Sequence, residues 1–234
     1  MPTDLIVFGP HPDDAEIGLG GTMARHTSEG YTVGVCDLSA GELGSNGTPE
    51  IRRAEAEAAA RVLGLAWREN LGWPDGAMSP TPALVRSAAA VIRKHRPRAI
   101  AIPHWADRHP DHVAASATLT EAAFKAGLRR FDADGHAWRP EWVCYYFITD
   151  SSTPSFVVDV SGHYERKREA LACHRSQFTP EGDKGVQTRL TMSTFKQLIE
   201  SRDAQFGALT GVAFAEGVVV REPVVRSTML KSQP

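Results

Sequence analysis

The first half of the chain alternates short apolar segments with helical patterns, and no other feature limits the possible fold as strongly. The patterns predict strands over residues 4–9, 32–38, 66–71 and 99–103, and helices over residues 20–29, 49–63, 82–95 and 113–126. Thr48 and Thr81 suit the N-cap positions of the second and third helices, and a proline follows each of them. Such alternation favours a parallel sheet with helices on both faces.

The second half of the chain has a looser pattern. It predicts strands over residues 143–149, 156–160 and 218–220, and helices over residues 164–175 and 194–206. We find no internal repeat, low-complexity tract or linker, so we expect one domain over residues 1–234. The fold class that follows is α/β, a Rossmann-like three-layer sandwich with a mostly parallel central sheet.

Composition argues against several classes of protein. The formal net charge of −2 does not suit a nucleic-acid binder with a strongly basic face. No apolar run reaches the roughly 20 residues of a membrane span, and the first residues do not look like a secretory signal. Cys36, Cys144 and Cys173 are far apart and form no CxxC pair, which is typical of reduced thiols. We therefore expect a cytoplasmic protein that binds neither nucleic acid nor a membrane.

Two clusters of histidine and aspartate directly follow the first and the fourth predicted strands. The first is His11-Pro12-Asp13-Asp14, and the second spans residues 104–112 with the sequence HWADRHPDH. In open α/β sheets, ligands bind beyond the carboxyl ends of the strands, where the strand order reverses. With a strand order of 3-2-1-4, the first and fourth strands are neighbours at that point. We therefore expect both clusters to face one crevice.

The pooled side chains match a catalytic zinc site, which commonly has two neutral imidazoles and one carboxylate around an open position. His11, Asp14 and His112 would supply that set and leave Asp13 free beside the metal. Zinc makes hydroxide available at neutral pH, and a nearby carboxylate can take up a proton during its attack. These residues predict a metal-assisted hydrolase.

Two further residues of the second cluster complete this prediction. A protonated His109 would stabilise an oxyanion, and Asp111 would hold the ring of His109 and raise its pKa. The simpler interpretation is that a lone loop histidine is a surface residue and that HPDD is a turn with an aspartate cap. Two such clusters at neighbouring strand ends argue against chance. A structural zinc site is also disfavoured, because it is usually closed by four Cys or His ligands.

The glycine run Gly18-Leu19-Gly20-Gly21 is similar to a dinucleotide-binding fingerprint, since it follows a strand and opens a helix. However, Met23 stands at the place of the third glycine, and HPDDAEI makes the turn too long. We expect the glycines to allow close packing of the helix on the sheet instead. The segment LGSNG fails as a nucleophile elbow, because Leu43 stands where the first glycine of GxSxG is required.

Taken together, the motifs resemble the LmbE-like (PIG-L) superfamily. The resemblance rests on HPDD with the following EIG and GGT, on the later HPDH, and on CDL, SNGT, RSQF and AEG across nearly the whole chain. Members of this superfamily are zinc-dependent deacetylases of N-acetylglucosamine units in small glycoconjugates. The more distinctive stretches are similar to the bacillithiol branch, which deacetylates N-acetylglucosaminyl-malate.

The resemblance implies roles for individual residues. It implies zinc ligands at His11, Asp14 and His112, a general base at Asp13, an oxyanion-stabilising residue at His109 and its orienting partner at Asp111. Some relatives have a tyrosine near the position of Phe195, whose ring cannot donate the corresponding hydrogen bond. Asp13 or His109 would deliver the proton to the leaving amine.

Two arginines are implied to bind substrate. Arg52 matches an arginine near the substrate, and Arg108 matches one suited to a carboxylate. A guanidinium binds a carboxylate through two hydrogen bonds, which would suit the malate part of the substrate. Propensity alone leaves Arg52 equally compatible with an ordinary surface ion pair.

The expected activity is removal of the N-acetyl group from N-acetyl-alpha-D-glucosaminyl L-malate, with chitooligosaccharides as alternative substrates. One Zn²⁺ per chain is the expected cofactor, and Fe²⁺, Mn²⁺ or Co²⁺ would also suit two histidines and one aspartate. The family resemblance implies a homo-oligomer such as a hexamer. A metal-dependent phosphoesterase and a catalytically silent sugar-binding module are the alternative functions, and the intact Asp13 disfavours the second.

Overall fold

The structure is a computed structural model that describes residues 3–179, 185–225 and 228. Its strands are β1 (Leu5–Gly9), β2 (Val33–Asp37), β3 (Trp67–Asn70), β4 (Ala99–Pro103), β5 (Trp142–Tyr146), β6 (Phe156–Asp159) and β7 (Ala215–Val219). They form one sheet in the order β3-β2-β1-β4-β5-β7-β6. The first five strands are parallel, and β7 is antiparallel to both of its neighbours. The predicted strand order around β1 and the mostly parallel sheet are confirmed.

Helices cover both faces of the sheet. They are α1 (Asp14–Ser28), α2 (Pro49–Leu63), α3 (Pro82–His95), α4 (Pro110–Ala126), α5 (Tyr164–Cys173), α6 (Arg175–Phe178) and α7 (Ser193–Thr210). One apolar core lies between the sheet and α1, α2 and α5, and a second lies between the sheet and the pair α3 and α4. The predicted three-layer α/β class is confirmed. Among the residues described, no helix combines the length and the apolar character that crossing a membrane requires.

The ends of α2 and α3 follow directly from the sequence. The Thr48 hydroxyl accepts a hydrogen bond from the N–H of Ile51, and the Thr81 hydroxyl accepts one from the N–H of Leu84. Gly64 ends α2 in the left-handed conformation, with a φ of 71°. Local capping chemistry therefore fixes these two helices at the predicted positions.

Several boundaries differ from the prediction: β5 ends at Tyr146 rather than at 149, β7 spans Ala215–Val219 rather than 218–220, and α7 reaches Thr210 rather than 206. Three further helix boundaries differ as well. Helix α1 begins at Asp14 rather than near residue 20, because the HPDD turn itself starts the helix and the glycine run lies inside it. Helix α4 begins at Pro110 rather than at 113, with His109 as its N-cap. The helix predicted over residues 164–175 ends at Cys173, and α6 follows His174.

The glycine run inside α1 serves close packing, as predicted. A Cβ at Gly18 would lie 2.2 Å from the ring of Tyr146, and a Cβ at Gly20 would lie 2.9 Å from Cγ of Lys167. The helix is kinked at Leu19, which has a φ of −135°. The run therefore lets a bulky strand residue and a buried lysine approach the axis of α1.

Candidate metal centre

Both histidine–aspartate clusters lie at the carboxyl edge of the sheet, at the ends of the adjacent parallel strands β1 and β4. A cleft of about 340 Å³ opens there, and its walls include His11, Asp13, Asp14, His109 and His112. The loops after β2 and β3, helix α2, residues 148–149 and the start of α7 also contribute to these walls. The predicted convergence of the two clusters on one crevice is confirmed.

Asp14 lies between the two histidines that are predicted to share a metal with it. Its Oδ2 is 3.0 Å from Nδ1 of His11 and 3.2 Å from Nε2 of His112. The backbone N–H of His11 donates to the same oxygen at 2.9 Å, which fixes the carboxylate. One donor atom from each of the three buried residues lies within 4.8 Å of the others.

Each of these histidines has a carboxylate at its other ring nitrogen. Nδ1 of His112 lies 3.0 Å from Oδ1 of Asp107. Nε2 of His11 lies 3.1 Å from Oδ1 of Asp75 and 3.4 Å from Oδ2 of Asp111. Metal-binding histidines usually have such a partner, which fixes the tautomer and the orientation of the ring. The donor set and its surroundings therefore fit a divalent metal ion.

A second group of possible donors overlaps the first. His11, His109 and Asp111 also bring one donor atom each within 4.8 Å of one another. Because His11 belongs to both groups, it can serve only one of them through a given nitrogen. The group containing Asp14 is buried throughout and has outer carboxylates on both histidines, so it is the better formed of the two.

The electrostatics of the cluster favour positive charge on the imidazoles of His11 and His112. Burial lowers the pKa of His112, but Asp14 and Asp107 more than offset this effect and raise the pKa to about 9. Burial also opposes ionisation of Asp14, yet His112 and His11 hold the pKa of Asp14 well below its usual range. Because metal ligands must be deprotonated, a bound cation would take the place of protons on these histidines.

Asp13 precedes α1 and stands beside this donor set. Its φ of 144° lies in a region that side-chain-bearing residues rarely adopt, and its side chain makes no capping hydrogen bond. Asp13 is buried, and this burial raises its pKa to about 6 against the opposing charge of Arg52. A carboxylate with such a pKa is suited to accept a proton near neutral pH.

Arg52 reaches the cleft from α2 and contacts Asp13. Its Nη2 lies 3.5 Å from Oδ2 of Asp13 and donates to the carbonyl of Pro12 at 3.2 Å, while Nη1 donates to the carbonyl of Gly41 at 3.0 Å. Arg52 is only 4% exposed and lines the cleft. The interpretation of Arg52 as a surface ion pair is therefore wrong.

Arg108 lies elsewhere. It is exposed and does not belong to the described residues that line the cleft. The preceding Asp107 turns inward, where it accepts hydrogen bonds from the backbone N–H groups of His109 and Thr149. The structure therefore does not bring the guanidinium of Arg108 to the site.

His109 and Asp111 are arranged differently from the prediction. The backbone N–H of Asp111 donates to Nδ1 of His109 at 3.2 Å, which leaves the hydrogen of a neutral ring on Nε2. The Asp111 carboxylate instead accepts from the N–H of Gly76 at 2.7 Å and faces His11. Burial, together with His112 and His11, lowers the pKa of His109, so the net shift is opposite to the predicted rise.

Sequence reasoning misses two carboxylates of the site. Asp107 contacts His112. Its position in the same short segment as His112 is the sequence feature that could have identified it. Asp75 follows β3 and contacts His11 through Oδ1, while its Oδ2 accepts the N–H of Leu43 at 2.9 Å. Nothing in the local sequence distinguishes Asp75 from an ordinary turn aspartate.

Phe195, whose ring offers no hydroxyl, lines the cleft from α7. The described part of the chain places no tyrosine among the residues that line the cleft. His104 and His174 are both buried, and neither belongs to the described residues that line the cleft.

Comparisons with known proteins agree with this arrangement. A family model described as "PIG-L: GlcNAc-PI de-N-acetylase" matches residues 6–123, which contain both histidine–aspartate clusters. Diacetylchitobiose deacetylase from Thermococcus kodakarensis is 30% identical over 231 residues, covering 92% of this chain and 81% of that protein. A 1D-myo-inositol 2-acetamido-2-deoxy-alpha-D-glucopyranoside deacetylase from Catenulispora acidiphila is 27% identical, covering 77% of this chain and 82% of that protein.

A solved structure shares the whole fold. The crystal structure of a conserved protein from Thermus thermophilus is 38% identical, with a TM-score of 0.89, and the match covers 98% of this chain and 100% of that chain. Both parts of the sheet, parallel and antiparallel, therefore have a counterpart in a related protein.

Proposed function

The chain belongs to the PIG-L family, and we propose that it is a metal-dependent hydrolase that removes the N-acetyl group from an N-acetylglucosamine unit of a small conjugate. The observation that carries this proposal is the convergence of His11, Asp14 and His112 in one cleft, with the buried Asp13 beside them. Hydrolysis of an unactivated amide needs an electrophilic centre and a base that is ionised near neutral pH. This cleft offers candidates for both.

His11, Asp14 and His112 would hold one Zn²⁺, and Fe²⁺, Mn²⁺ or Co²⁺ would suit the same donors. A divalent ion held there would polarise the acetamide carbonyl and lower the pKa of the attacking water. Asp75 and Asp107 hold the two rings from outside, so the donor set is oriented before substrate arrives.

The remaining steps belong to side chains of the protein. Asp13 takes a proton from the water as its oxygen bonds to the carbonyl carbon, and Arg52 helps to keep Asp13 ionised beforehand. The neutral His109 donates from Nε2 to the oxyanion that develops. As the carbon–nitrogen bond breaks, Asp13 returns the proton to the leaving nitrogen, because the lowered pKa of His109 makes its imidazolium scarce at neutral pH. The products are the free amine and acetic acid, which releases a proton to give acetate.

We propose N-acetyl-alpha-D-glucosaminyl L-malate as the substrate, in line with the sequence resemblance. The named relatives support the wider class, because diacetylchitobiose and the inositol conjugate both carry a 2-acetamido-2-deoxyglucose unit. They support a chitooligosaccharide substrate equally well. Of the two arginines that were expected to bind substrate, Arg52 lines the cleft and Arg108 does not.

An acetate-release assay tests the proposal. Zinc-loaded protein is given the malate conjugate, diacetylchitobiose, free N-acetylglucosamine and, separately, a phosphomonoester. We expect acetate from the conjugates. The kcat/KM should be at least about tenfold higher for the preferred conjugate than for the free sugar, because the loss of one contact of about 1.4 kcal/mol lowers kcat/KM tenfold. Comparable rates on the malate conjugate and the free sugar would count against the bacillithiol assignment.

The same preparation separates the alternative functions. The overlapping donor group of His11, His109 and Asp111 would allow a two-metal phosphoesterase, in which two ions share the site. Metal analysis should give one ion per chain, with no release of phosphate. Two ions per chain with phosphate release would replace the proposal, and binding of a conjugate without acetate release would indicate a sugar-binding module.

We also infer a homo-oligomer. A groove of about 790 Å³, separate from the cleft, lies between α4 and residues 220–225, and Phe124 and Trp142 expose 58% and 39% of their surface there. Its lining includes two arginines and two glutamates, namely Arg139, Arg221, Glu141 and Glu222. A second copy related by a twofold axis would pair these charges and cover the apolar floor. Light scattering should give a multiple of 25.4 kDa, and a mass of 25.4 kDa would contradict the inference.

A further inference from the structure

Four charged side chains form a buried cluster behind the cleft, between α1, α5, α7 and β7. They are Lys167, Arg202, Asp203 and Glu216, of which Arg202 is 8% exposed and the others are fully buried. Nζ of Lys167 lies 2.6 Å from Oδ2 of Asp203 and 2.6 Å from Oε1 of Glu216. Nε of Arg202 lies 3.0 Å from Oδ1 of Asp203. We call these four residues the buried quartet, and their formal charges cancel.

The buried quartet contacts α1 on both sides of its kink. The carboxylate of Glu216 accepts from the N–H of Gly21 at 2.9 Å and from the N–H of Thr22 at 2.6 Å. Nη2 of Arg202 donates to the carbonyl of Ile17 at 2.8 Å. In a straight α-helix, the N–H of residue 21 and the carbonyl of residue 17 would bond to each other. Here the quartet gives both groups side-chain partners across the kink.

Arg202 also contacts the opposite wall of the cleft. Its Nη1 donates to the carbonyls of Phe147 and Ile148, at 3.1 and 2.8 Å. The next residue, Thr149, donates from its N–H and hydroxyl to Asp107, at 3.0 and 2.7 Å. Asp107 in turn contacts Nδ1 of His112. One guanidinium therefore joins the first turn of α1 to the segment that holds a candidate metal ligand.

We propose that Arg202 is a positioning residue for the metal centre. It fixes the position of the first turn of α1, which carries Asp14, relative to residues 147–149. Thr149 in that segment holds Asp107, and Asp107 in turn holds His112. The kink in α1 and the buried quartet are thus parts of the metal site rather than of the core alone. The inference rests on the proposed function for its kinetic readout, but its metal-binding readout needs no substrate.

The geometry requires an arginine. The planar guanidinium of Arg202 donates hydrogen bonds to three backbone carbonyls and to the Asp203 carboxylate. A lysine carries a single flexible ammonium and would reach only part of this set. Arg202→Lys therefore keeps the charge of the buried quartet while loosening the connection between the two walls.

Arg93 provides a matched control within the same chain. It is also buried, at 3% exposure, and its guanidinium also donates to backbone carbonyls, those of Ala126, Leu128, Ala133 and Gly135. It joins α3 to the end of α4, and it does not line the cleft. Any loss that follows only from removing a buried arginine should appear in both pairs of variants.

The experiment compares Arg202→Lys and Arg202→Met with Arg93→Lys and Arg93→Met. Each folded variant is titrated with Co²⁺, and its visible spectrum, Co²⁺ affinity, kcat and KM are measured. We expect the Arg202 variants to lose about 10- to 100-fold in Co²⁺ affinity or kcat, as for other residues that orient metal ligands, with an altered spectrum and a nearly constant KM. The Arg93 variants should lose thermal stability while keeping affinity and spectrum.

Wild-type affinity and spectrum in a folded Arg202→Lys protein would overturn the inference, as would an equal loss in Arg93→Lys. If Arg202→Met does not fold, Arg202→Lys and Thr149→Val, which removes one hydrogen bond to Asp107, carry the test, and wild-type affinity in both would overturn the inference. If the wild type binds Co²⁺ but releases no acetate, the proposed function fails, and the ratio of Co²⁺ affinities still decides the role of Arg202.

Discussion

The candidate metal centre and the buried quartet are both clusters of buried charge, but only the quartet has equal numbers of positive and negative side chains. In the quartet, Lys167 and Arg202 cancel Asp203 and Glu216. At the metal centre, five carboxylates contact His11, His112 or Arg52; they are Asp13, Asp14, Asp75, Asp107 and Asp111. Arg52 is the only arginine or lysine among the described residues that line the cleft. Buried charge is costly without a partner. The quartet is complete in itself, whereas the cleft has an excess of carboxylates that a bound cation would balance.

The largest effect is expected from replacing Asp13, which lies in the cleft and is not one of the three candidate metal ligands. Asp13→Ala should lower kcat by about 10²- to 10⁴-fold, the usual contribution of a general base, and should leave the metal bound. Steady-state kinetics and metal analysis on the same sample check this. Asp13→Asn serves as the isosteric control. Loss of metal together with activity would show that Asp13 is a ligand and not the base.

The next effect breaks the quartet. Lys167→Met leaves Asp203 and Glu216 buried without their shared cation, and it should lower the free energy of unfolding by about 3–5 kcal/mol in urea. The control is Arg53→Met, which removes an exposed partner of Glu57 and should change the unfolding free energy by no more than about 0.5 kcal/mol. A loss below about 1 kcal/mol for Lys167→Met would mean that the quartet does not depend on its internal balance.

The smallest expected effect is the pH dependence of metal affinity at the candidate metal centre. The pKa of His112 is raised to about 9, so below that pH a proton must leave before metal can bind. Apparent metal affinity should therefore fall as pH falls, by up to about tenfold per pH unit for each proton released. Chelator competition at several pH values measures the slope, and calorimetry in buffers of different ionisation enthalpy counts the protons. An affinity that does not change between pH 6 and 8 would contradict the raised pKa.

The site could be predicted as far as backbone topology determines it. Parallel strands end at one edge of the sheet, so the residues after β1 and β4 had to meet once the strand order was known. Thr48 and Gly64 likewise fix α2 through local hydrogen bonds. The direction of the Asp111 carboxylate could not be predicted, because it depends on the N–H of Gly76 in a separate loop.

The start of α1 could not be predicted for a related reason. Local rules place glycine, not aspartate, at a position with positive φ, and they treat a glycine run as a poor helix interior. Tertiary contacts override the second rule, through Tyr146 and Lys167 packed against Gly18 and Gly20. Lys167 and Glu216 are 49 residues apart in sequence, and sequence patterns assign such charged side chains to the surface.

The backbone conformation of Asp13 is unfavourable for folding, although it places a carboxylate in the cleft. A φ of 144° costs an aspartate on the order of 1–3 kcal/mol that glycine would not spend. A chain optimised for stability alone would therefore carry glycine at this position, and it would lose the carboxylate that faces the cleft. Asp13→Gly would therefore relieve the backbone strain and remove the proposed base, so selecting variants for heat resistance would tend to discard activity first at this residue.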